Sequence, residues 1–140
     1  MDVDVDVDVD MDMRVIAIDP GVTGALAVVV GKPGDLRVES VADLPVLVRH
    51  TATGKAHRSV DGVAFADMVR DAGAADGALV ERLASPNVWK LALGAPAGKQ
   101  EARRFATQLF GSDALWRLAL HHNRAEAALI GAWGLIRAKQ

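Results

Sequence analysis

A short apolar run that ends in an acidic residue restricts the fold of this chain more than any other feature. Residues 14–19 read Arg-Val-Ile-Ala-Ile-Asp, and the turn sequence Pro-Gly-Val-Thr-Gly separates them from a second apolar run over 25–31. β-Branched residues bounded by Gly and Pro are typical of buried strands joined by a tight turn. The pattern therefore predicts a β-hairpin that places Asp19 at the carboxyl end of its first strand.

The rest of the chain continues this sheet and covers it with helices. A Gly/Pro turn after residue 31 leads into a third strand over 36–44, and the apolar run at 77–81 is a fourth strand that also ends in an acid. Residues 45–60 have no sustained periodicity and are interpreted as a surface loop. Apolar residues recur at helical spacing in three segments, 60–72, 99–110 and 123–139. This order predicts an α/β fold, a mixed sheet with an antiparallel three-strand meander and flanking helices.

Composition favours a single folded domain, which we assign to residues 14–140. The chain has 140 residues, of which 51% are hydrophobic and 24% charged, as in an ordinary globular domain. It has no cysteine, which excludes disulfide scaffolds and thiolate metal sites. No apolar run approaches the roughly 20 residues of a membrane span, and the acidic start is unlike a signal peptide. We therefore expect a cytoplasmic protein with no membrane partner.

The first 13 residues mask the basic character of the remaining chain. Six Asp alternate with apolar residues there, and because like charges on one face repel, segment 1–13 is predicted to be a disordered acidic tail. One alternative to a disordered tail is that translation starts at Met11 or Met13. Another is that the segment is an acidic arm that competes with nucleic acid for the basic surface. Without this tail the net charge of −2 becomes +4, and residues 82–140 hold nine basic against three acidic residues. That excess indicates either a polyanion-binding surface or a solvated helix face.

Three acidic residues lie on apolar elements, where an unpaired carboxylate is costly. Asp19 and Glu81 each end a predicted strand, and Glu126 lies on the apolar side of the last helix. Burial of a carboxylate without a partner costs several kcal/mol, so these acids need a cation or hydrogen-bond donors. Carboxylate oxygens are the ligands that Mg²⁺ prefers. His122 and Asn123 precede Glu126 by four and three residues, so either can share its helix face.

Three stretches of the sequence resemble one nuclease family. RVIAIDPGVTGALAVV is similar to the first hairpin of the RuvC family of Holliday-junction resolvases, which have the RNase H-like fold. ALVERLASP resembles the second acidic strand of that family. The C-terminal helical block of the family, most closely in phage and prophage members, resembles a third stretch, VWKLALGAPAGKQEARRFATQLF followed by HHNRAEAALIGAWGL. The resemblance covers nearly all of the chain from Arg14 onward.

This resemblance implies metal-dependent hydrolysis of phosphodiester bonds in branched DNA, in recombination, repair or phage DNA processing. Two Mg²⁺ ions, with Mn²⁺ as a substitute, would be held by Asp19, Glu81 and Glu126. By position, Asp19 would bridge the ions and Glu81 would bind or orient the attacking water. His122 is assigned as a further ligand, although His121 and Asn123 are alternatives at the same helix start.

Basic and aromatic residues are the candidates for contacts with DNA. Lys90 and Lys99 match lysines that the family places near the scissile phosphate, where positive charge stabilises the developing negative oxygens. Trp89, predicted to lie in a loop, either stacks on an exposed base or packs in the core. The other predicted DNA contacts are three arginines, Arg103, Arg104 and Arg124.

The chain departs from the family pattern after its second acidic strand. Family members have a long helix and a further strand before the Trp-Lys element, but only three residues separate Ser85 from Trp89 here. The predicted fold is therefore RNase H-like, of RuvC type, without one strand and one helix. The missing helix is one that the family uses in its homodimer. Two alternative functions remain, an inactive nucleic-acid-binding protein of the same fold and an ATPase that holds phosphate with the IDPGVTG hairpin.

Overall fold

The computed structural model describes residues 12–73 and 86–138. The first stretch contains the strands β1 (Met13–Asp19), β2 (Ala25–Lys32), β3 (Asp35–Asp43), β4 (Val46–His50) and β5 (Ala56–Val60), followed by helix α1 (Gly62–Asp71). The second stretch contains the helices α2 (Pro86–Leu93), α3 (Lys99–Phe110) and α4 (His122–Ala138), with a short 3₁₀ turn at Ala119–His121.

Strands β1, β2 and β3 form an antiparallel sheet with β2 at its centre. β1 pairs with β2 from Met13 opposite Gly31 to Asp19 opposite Ala25. On its other side, Ala25 pairs with Asp43 of β3. The register therefore brings Asp19 and Asp43 to the same end of the sheet.

Helices cover both faces of this sheet, because successive residues of a strand point to opposite sides. Val15 and Ala17 of β1 belong to a core that α2, α3 and α4 complete, whereas Ile16 packs with α1 on the opposite face. Helix α4 comes close to the sheet at Gly131, where a Cβ atom would lie 2.5 Å from Cγ2 of Val29. The absence of a side chain at this position thus sets the distance between α4 and the sheet.

The prediction of a surface loop over 45–60 is wrong. β4 and β5 pair with each other as an antiparallel ribbon, with Val46 opposite Val60. Gly54 adopts a left-handed φ of 83° in the connecting turn. Most side chains of the ribbon are exposed on both faces. The sequence therefore lacks the alternation of apolar and polar residues that identifies a half-buried strand.

The loop predicted around Trp89 is also wrong. Trp89 lies in α2 (Pro86–Leu93). The Trp89 side chain is 1% exposed and belongs to the core on the α4 side of the sheet. A buried ring cannot stack on a DNA base, so the structure places Trp89 in the core and not among the DNA contacts.

The α/β class and the three-strand meander are confirmed. The helices predicted over 60–72, 99–110 and 123–139 correspond to α1, α3 and α4. The sheet is antiparallel throughout the described residues. The fourth strand predicted at 77–81 and the first 11 residues of the predicted acidic tail lie outside them. None of the helices in the described part of the chain combines the length and apolar character needed to cross a membrane.

Candidate active site

Asp19 and Glu126 approach each other at one end of the sheet. Asp19 is the last residue of β1, and Glu126 lies early in α4, which packs across β1 and β2. The pKa of the Asp19 carboxyl is raised to about 6, first by burial and second by the negative charge of Glu126, whereas Lys90 lowers it. Two carboxylates and one ammonium group therefore interact in a partly buried site.

The turn after Asp19 fixes this end of β1. Gly21 has a φ of 110°, which favours glycine, and its carbonyl accepts the backbone N–H of Gly24 at 3.0 Å. A Cβ atom on Gly24 would lie 1.8 Å from the carbonyl oxygen of Asp19, so only glycine fits. The side-chain amide of Asn123 donates to the carbonyl of Thr23. This bond ties the turn to the start of α4, the helix that carries the second carboxylate.

Lys90 is the cation that α2 delivers to the carboxylates. Its Nζ lies 3.1 Å from Oε1 of Glu126 and also donates to the carbonyl of Ala97 at 3.1 Å. The two charged side chains are only 12% and 14% exposed, so solvent screens their attraction less than at an open surface. The buried ring of Trp89 anchors α2 beside them. The lysine predicted from the family resemblance thus lies at the carboxylate pair.

The three residues considered as a further ligand make different contacts. Nδ1 of His122 lies 3.3 Å from the carbonyl oxygen of Ala119. A carbonyl only accepts, so Nδ1 is the donor in this bond and Nε2 is the ring nitrogen left to face a ligand. His121 instead accepts a backbone N–H through Nδ1 at 3.3 Å. Asn123 is bonded to the turn, so His122 is the most suitable of the three.

The structure brings two of the four predicted metal ligands together. Among residues 12–73 and 86–138, no three His, Cys, Asp or Glu side chains lie within reach of one ion, so His122 does not complete a set with Asp19 and Glu126. Glu81 lies outside the described residues. Two partly buried carboxylates that repel each other nevertheless fit a divalent cation, because the cation relieves both their repulsion and the cost of burial.

A groove of about 620 Å³ opens beside the turn that follows Asp19. It is lined by Thr23 and Gly24 of the turn, Lys99 at the start of α3, and Arg58 of β5. Lys99 therefore lies near the site along the groove, whereas Lys90 contacts the carboxylate pair directly. The ion pair of Arg124 with Asp43 lines the groove as well, so Arg58 and Lys99 supply its excess positive charge, which suits phosphate groups.

The predicted DNA-binding arginines differ in their availability. Arg103 donates to two backbone carbonyls between α3 and α4, at 3.1 and 3.0 Å, and so fixes that segment. Arg124 forms a bidentate ion pair with Asp43 at 2.8 and 3.0 Å. The side-chain hydrogen bonds from Arg124 hold the pKa of the Asp43 carboxyl below its usual value. Arg104 is exposed, so its guanidinium is available to a ligand.

The position of Arg58 in this groove was not predicted from the sequence. This residue lies in the segment 45–60 that was interpreted as a loop, so no position relative to Asp19 was assigned to it. The available signal was the run over 44–60, which contains basic residues and no acidic one.

Neither a protein-family model nor a curated protein matches the chain. A functional assignment therefore depends on the three stretches of sequence that resemble the RuvC family. It depends equally on the contacts among Asp19, Glu126 and Lys90.

Replacement of Glu126 by Gln is expected to lower the pKa of Asp19 in the metal-free protein. Loss of the neighbouring negative charge favours the ionised form of Asp19, and Lys90 becomes free to stabilise it. The measurement is an NMR titration of the labelled Asp19 carboxyl in EDTA. Glu101→Gln, which removes an exposed carboxylate from α3, is the matched control and should leave the pKa of Asp19 near 6. Equal pKa values of Asp19 in both variants would contradict the proximity of the two carboxylates.

Proposed function

We propose that this protein is a RuvC-like endonuclease of RNase H-like fold that cleaves phosphodiester bonds in branched DNA with divalent metal ions. One observation carries the proposal, which is that Asp19 at a strand end and Glu126 on the last helix converge beside Lys90. The order of these elements along the chain agrees with the stretches that resemble the family. A symmetric junction has two strands to cut, which the two sites of a homodimer would do, but this sequence lacks the helix that the family uses in its homodimer.

The carboxylates supply the metal-binding part of this proposed site. Asp19 and Glu126 would hold the cations, with Glu81 as a further predicted ligand. His122 was also predicted as a ligand, but within the described part of the chain it does not complete a set with these two carboxylates. Mg²⁺ or Mn²⁺ bound there supplies a Lewis acid and lowers the pKa of water. Ionised carboxylates are needed for this role, and the Asp19 carboxyl, with a pKa of about 6, is mostly ionised at neutral pH.

The lysines supply fixed positive charge for the phosphate. Lys90 holds its ammonium group at the carboxylate pair through its hydrogen bond to Ala97, so it is already oriented when DNA binds. A charge fixed in advance stabilises the additional negative charge of the transition state without reorganisation. Lys99 contacts the same strand from the groove.

An inactive nucleic-acid-binding protein of the same fold is the second candidate. The ion pair between Lys90 and Glu126 favours it, because a lysine can neutralise a carboxylate in place of a metal ion. This candidate retains binding to branched DNA in EDTA and gives no cleavage in Mg²⁺ or Mn²⁺.

A cleavage assay separates the nuclease from the inactive binding protein. It compares a labelled four-way junction with a linear duplex of the same length and sequence. We expect nicking of the junction in Mg²⁺ and in Mn²⁺, little nicking of the duplex, and none of either in EDTA. A gel shift of the junction without any nicking in either metal would establish the binding protein and reject the nuclease.

A further inference from the structure

The ribbon formed by β4 and β5 is a feature that the proposed reaction does not use. Its base is anchored, since Val60 packs with Leu44 against the core on the α1 side, and the backbone N–H of Asp61 donates to the carbonyl of Pro45 at 2.9 Å. Beyond this base, both strands have exposed side chains and pair chiefly with each other. The ribbon therefore projects from the domain as an arm.

The ribbon carries positive charge that no carboxylate of the described residues neutralises. Residues 44–60 contain Arg49, Lys55 and Arg58 and no acidic residue. None of these three cations forms an ion pair within the described part of the chain. Five other cations of the described residues do pair with carboxylates, namely Arg14, Arg37, Arg70, Lys90 and Arg124.

The strand pairing distributes these cations over both faces of the ribbon. Arg58 is opposite Val48, and Arg49 is opposite His57, one position further along β4. Because neighbouring positions of a strand point to opposite faces, Arg58 and Arg49 project from different sides. Lys55 lies where the turn enters β5. A polyanion such as DNA that runs along either face of the ribbon therefore meets at least one cation.

Arg58 connects the ribbon to the candidate active site. It lines the same groove as Val46 from the base of the ribbon, and as Thr23 and Gly24 from the turn that follows Asp19. Lys99 lines this groove as well. Arg58 and Lys99 therefore place positive charge in the groove that the base of the ribbon shares with the turn after Asp19, beside the ion pair of Arg124 with Asp43.

We propose that the β4–β5 ribbon is a DNA-binding arm. It holds the phosphates of a duplex segment that leads away from the candidate active site at Asp19 and Glu126. This inference rests on the proposed action on DNA, but it does not require cleavage. A two-stranded ribbon has the width that a DNA groove accepts. Arginine and lysine on such a ribbon bind phosphate without reading sequence. The substrate class is therefore double-stranded DNA, held independently of its sequence.

The test is binding to the labelled junction and to the linear duplex in EDTA, between about 50 and 200 mM NaCl. The triple variant Arg49→Ala, Lys55→Ala, Arg58→Ala is expected to raise Kd about tenfold or more for both DNAs. Each lost phosphate contact also reduces the magnitude of the negative slope of log K against log salt by about 0.9, so the slope should become less negative by about two to three. Arg49→Lys with Arg58→Lys keeps the charges and should bind as wild type does.

The matched control is Lys32→Ala, Arg37→Ala, Arg70→Ala, which removes the same charge from outside the ribbon. It should change Kd less than about threefold and keep the salt slope. The DNA-binding role of the ribbon would be rejected if the two triple variants lost the same affinity for DNA. It would also be rejected if the ribbon variant kept the wild-type Kd. If wild type binds without cutting while the ribbon variant loses binding, the arm stands and the nuclease proposal fails. If wild type binds neither DNA, both proposals fail.

Discussion

Asp19→Asn is expected to lower the rate of junction cleavage by about 10³-fold or more, while the protein binds the junction at least as tightly as wild type. An amide keeps the size of the carboxyl group but removes the negative charge that a divalent cation needs. Loss of one fixed electrostatic group in an active site commonly costs about 10²–10³ in rate, and loss of a carboxylate that would hold the metal ions should cost at least as much. Removal of a negative charge beside DNA weakens repulsion, which accounts for the retained affinity.

The rate is best measured in a single turnover with enzyme in excess over the labelled junction, so that product release does not limit it. Asp35→Asn is the matched control, because it makes the same chemical change at an exposed aspartate on the opposite end of β3 from Asp43. It should cut as wild type does. Glu81→Gln tests the third predicted carboxylate in the same assay. Equal nicking by wild type and Asp19→Asn would reject the assignment of the site.

Unfolding does not explain the expected loss of cleavage in Asp19→Asn. The raised pKa of Asp19 instead predicts that the variant is at least as stable as wild type. The folded-state pKa of about 6 exceeds the ordinary 3.8, so the folded protein binds a proton more tightly than the unfolded chain. The ionised carboxyl therefore destabilises the metal-free fold, and this loss develops as the pH rises from about 4 to about 6. In EDTA at neutral pH, thermal unfolding of Asp19→Asn should occur at or above the wild-type temperature.

Local sequence patterns predicted the parts of the fold that have a strong local cause. The β1–β2 hairpin follows from branched apolar residues around a Gly-containing turn, and α3 has the bounds 99–110 that its apolar spacing predicted. The ribbon was missed because its strands are exposed, so only their pairing with each other marks them as strands. Trp89 was misplaced because the sequence around it has too few turns to show a helical period.

The sequence predicted the elements on which Asp19 and Glu126 lie, but it did not predict their contacts. A strand-end position predicted Asp19, and an apolar helix predicted Glu126, but their approach depends on how α4 crosses the sheet. The ion pair of Lys90 with Glu126 depends in addition on α2, which was not predicted. The pairing of Arg124 with Asp43 could not be predicted either, since it follows from the strand register that brings Asp43 to the end of the sheet where α4 begins.

Gly131→Ala is expected to destabilise the protein by about 1–3 kcal/mol and to slow junction cleavage by about 10²-fold. An added Cβ would lie 2.5 Å from Cγ2 of Val29 and 3.3 Å from Cβ of Ala17, so α4 must move away from the sheet. Alanine is favoured over glycine inside a helix by about 1 kcal/mol, which offsets part of this cost. The helix that moves carries Glu126, and a displacement of about 1 Å in an active site can cost 10²-fold in rate.

Denaturant unfolding measures the first effect, and single-turnover cleavage measures the second. Gly62→Ala is the matched control, because it makes the same change at the start of α1, where a Cβ meets nothing within 4 Å. It should change the free energy of unfolding by less than about 0.5 kcal/mol and leave the cleavage rate at the wild-type value. A neutral result for Gly131→Ala in both assays would show that the sheet and α4 adapt to the extra atom.

Val29→Ala provides the decisive second step, because it removes the methyl group that the new Cβ would meet. Alone, this change leaves a cavity under α4 and costs stability through lost burial. Combined with Gly131→Ala, the cavity receives the added carbon atom, so the double variant should be more stable than the sum of the single losses by about 1 kcal/mol. Its cleavage rate should return toward wild type, since α4 regains its distance from β1. Additive losses in stability together with an unrestored rate would mean that contact with Val29 does not set the position of Glu126 relative to Asp19.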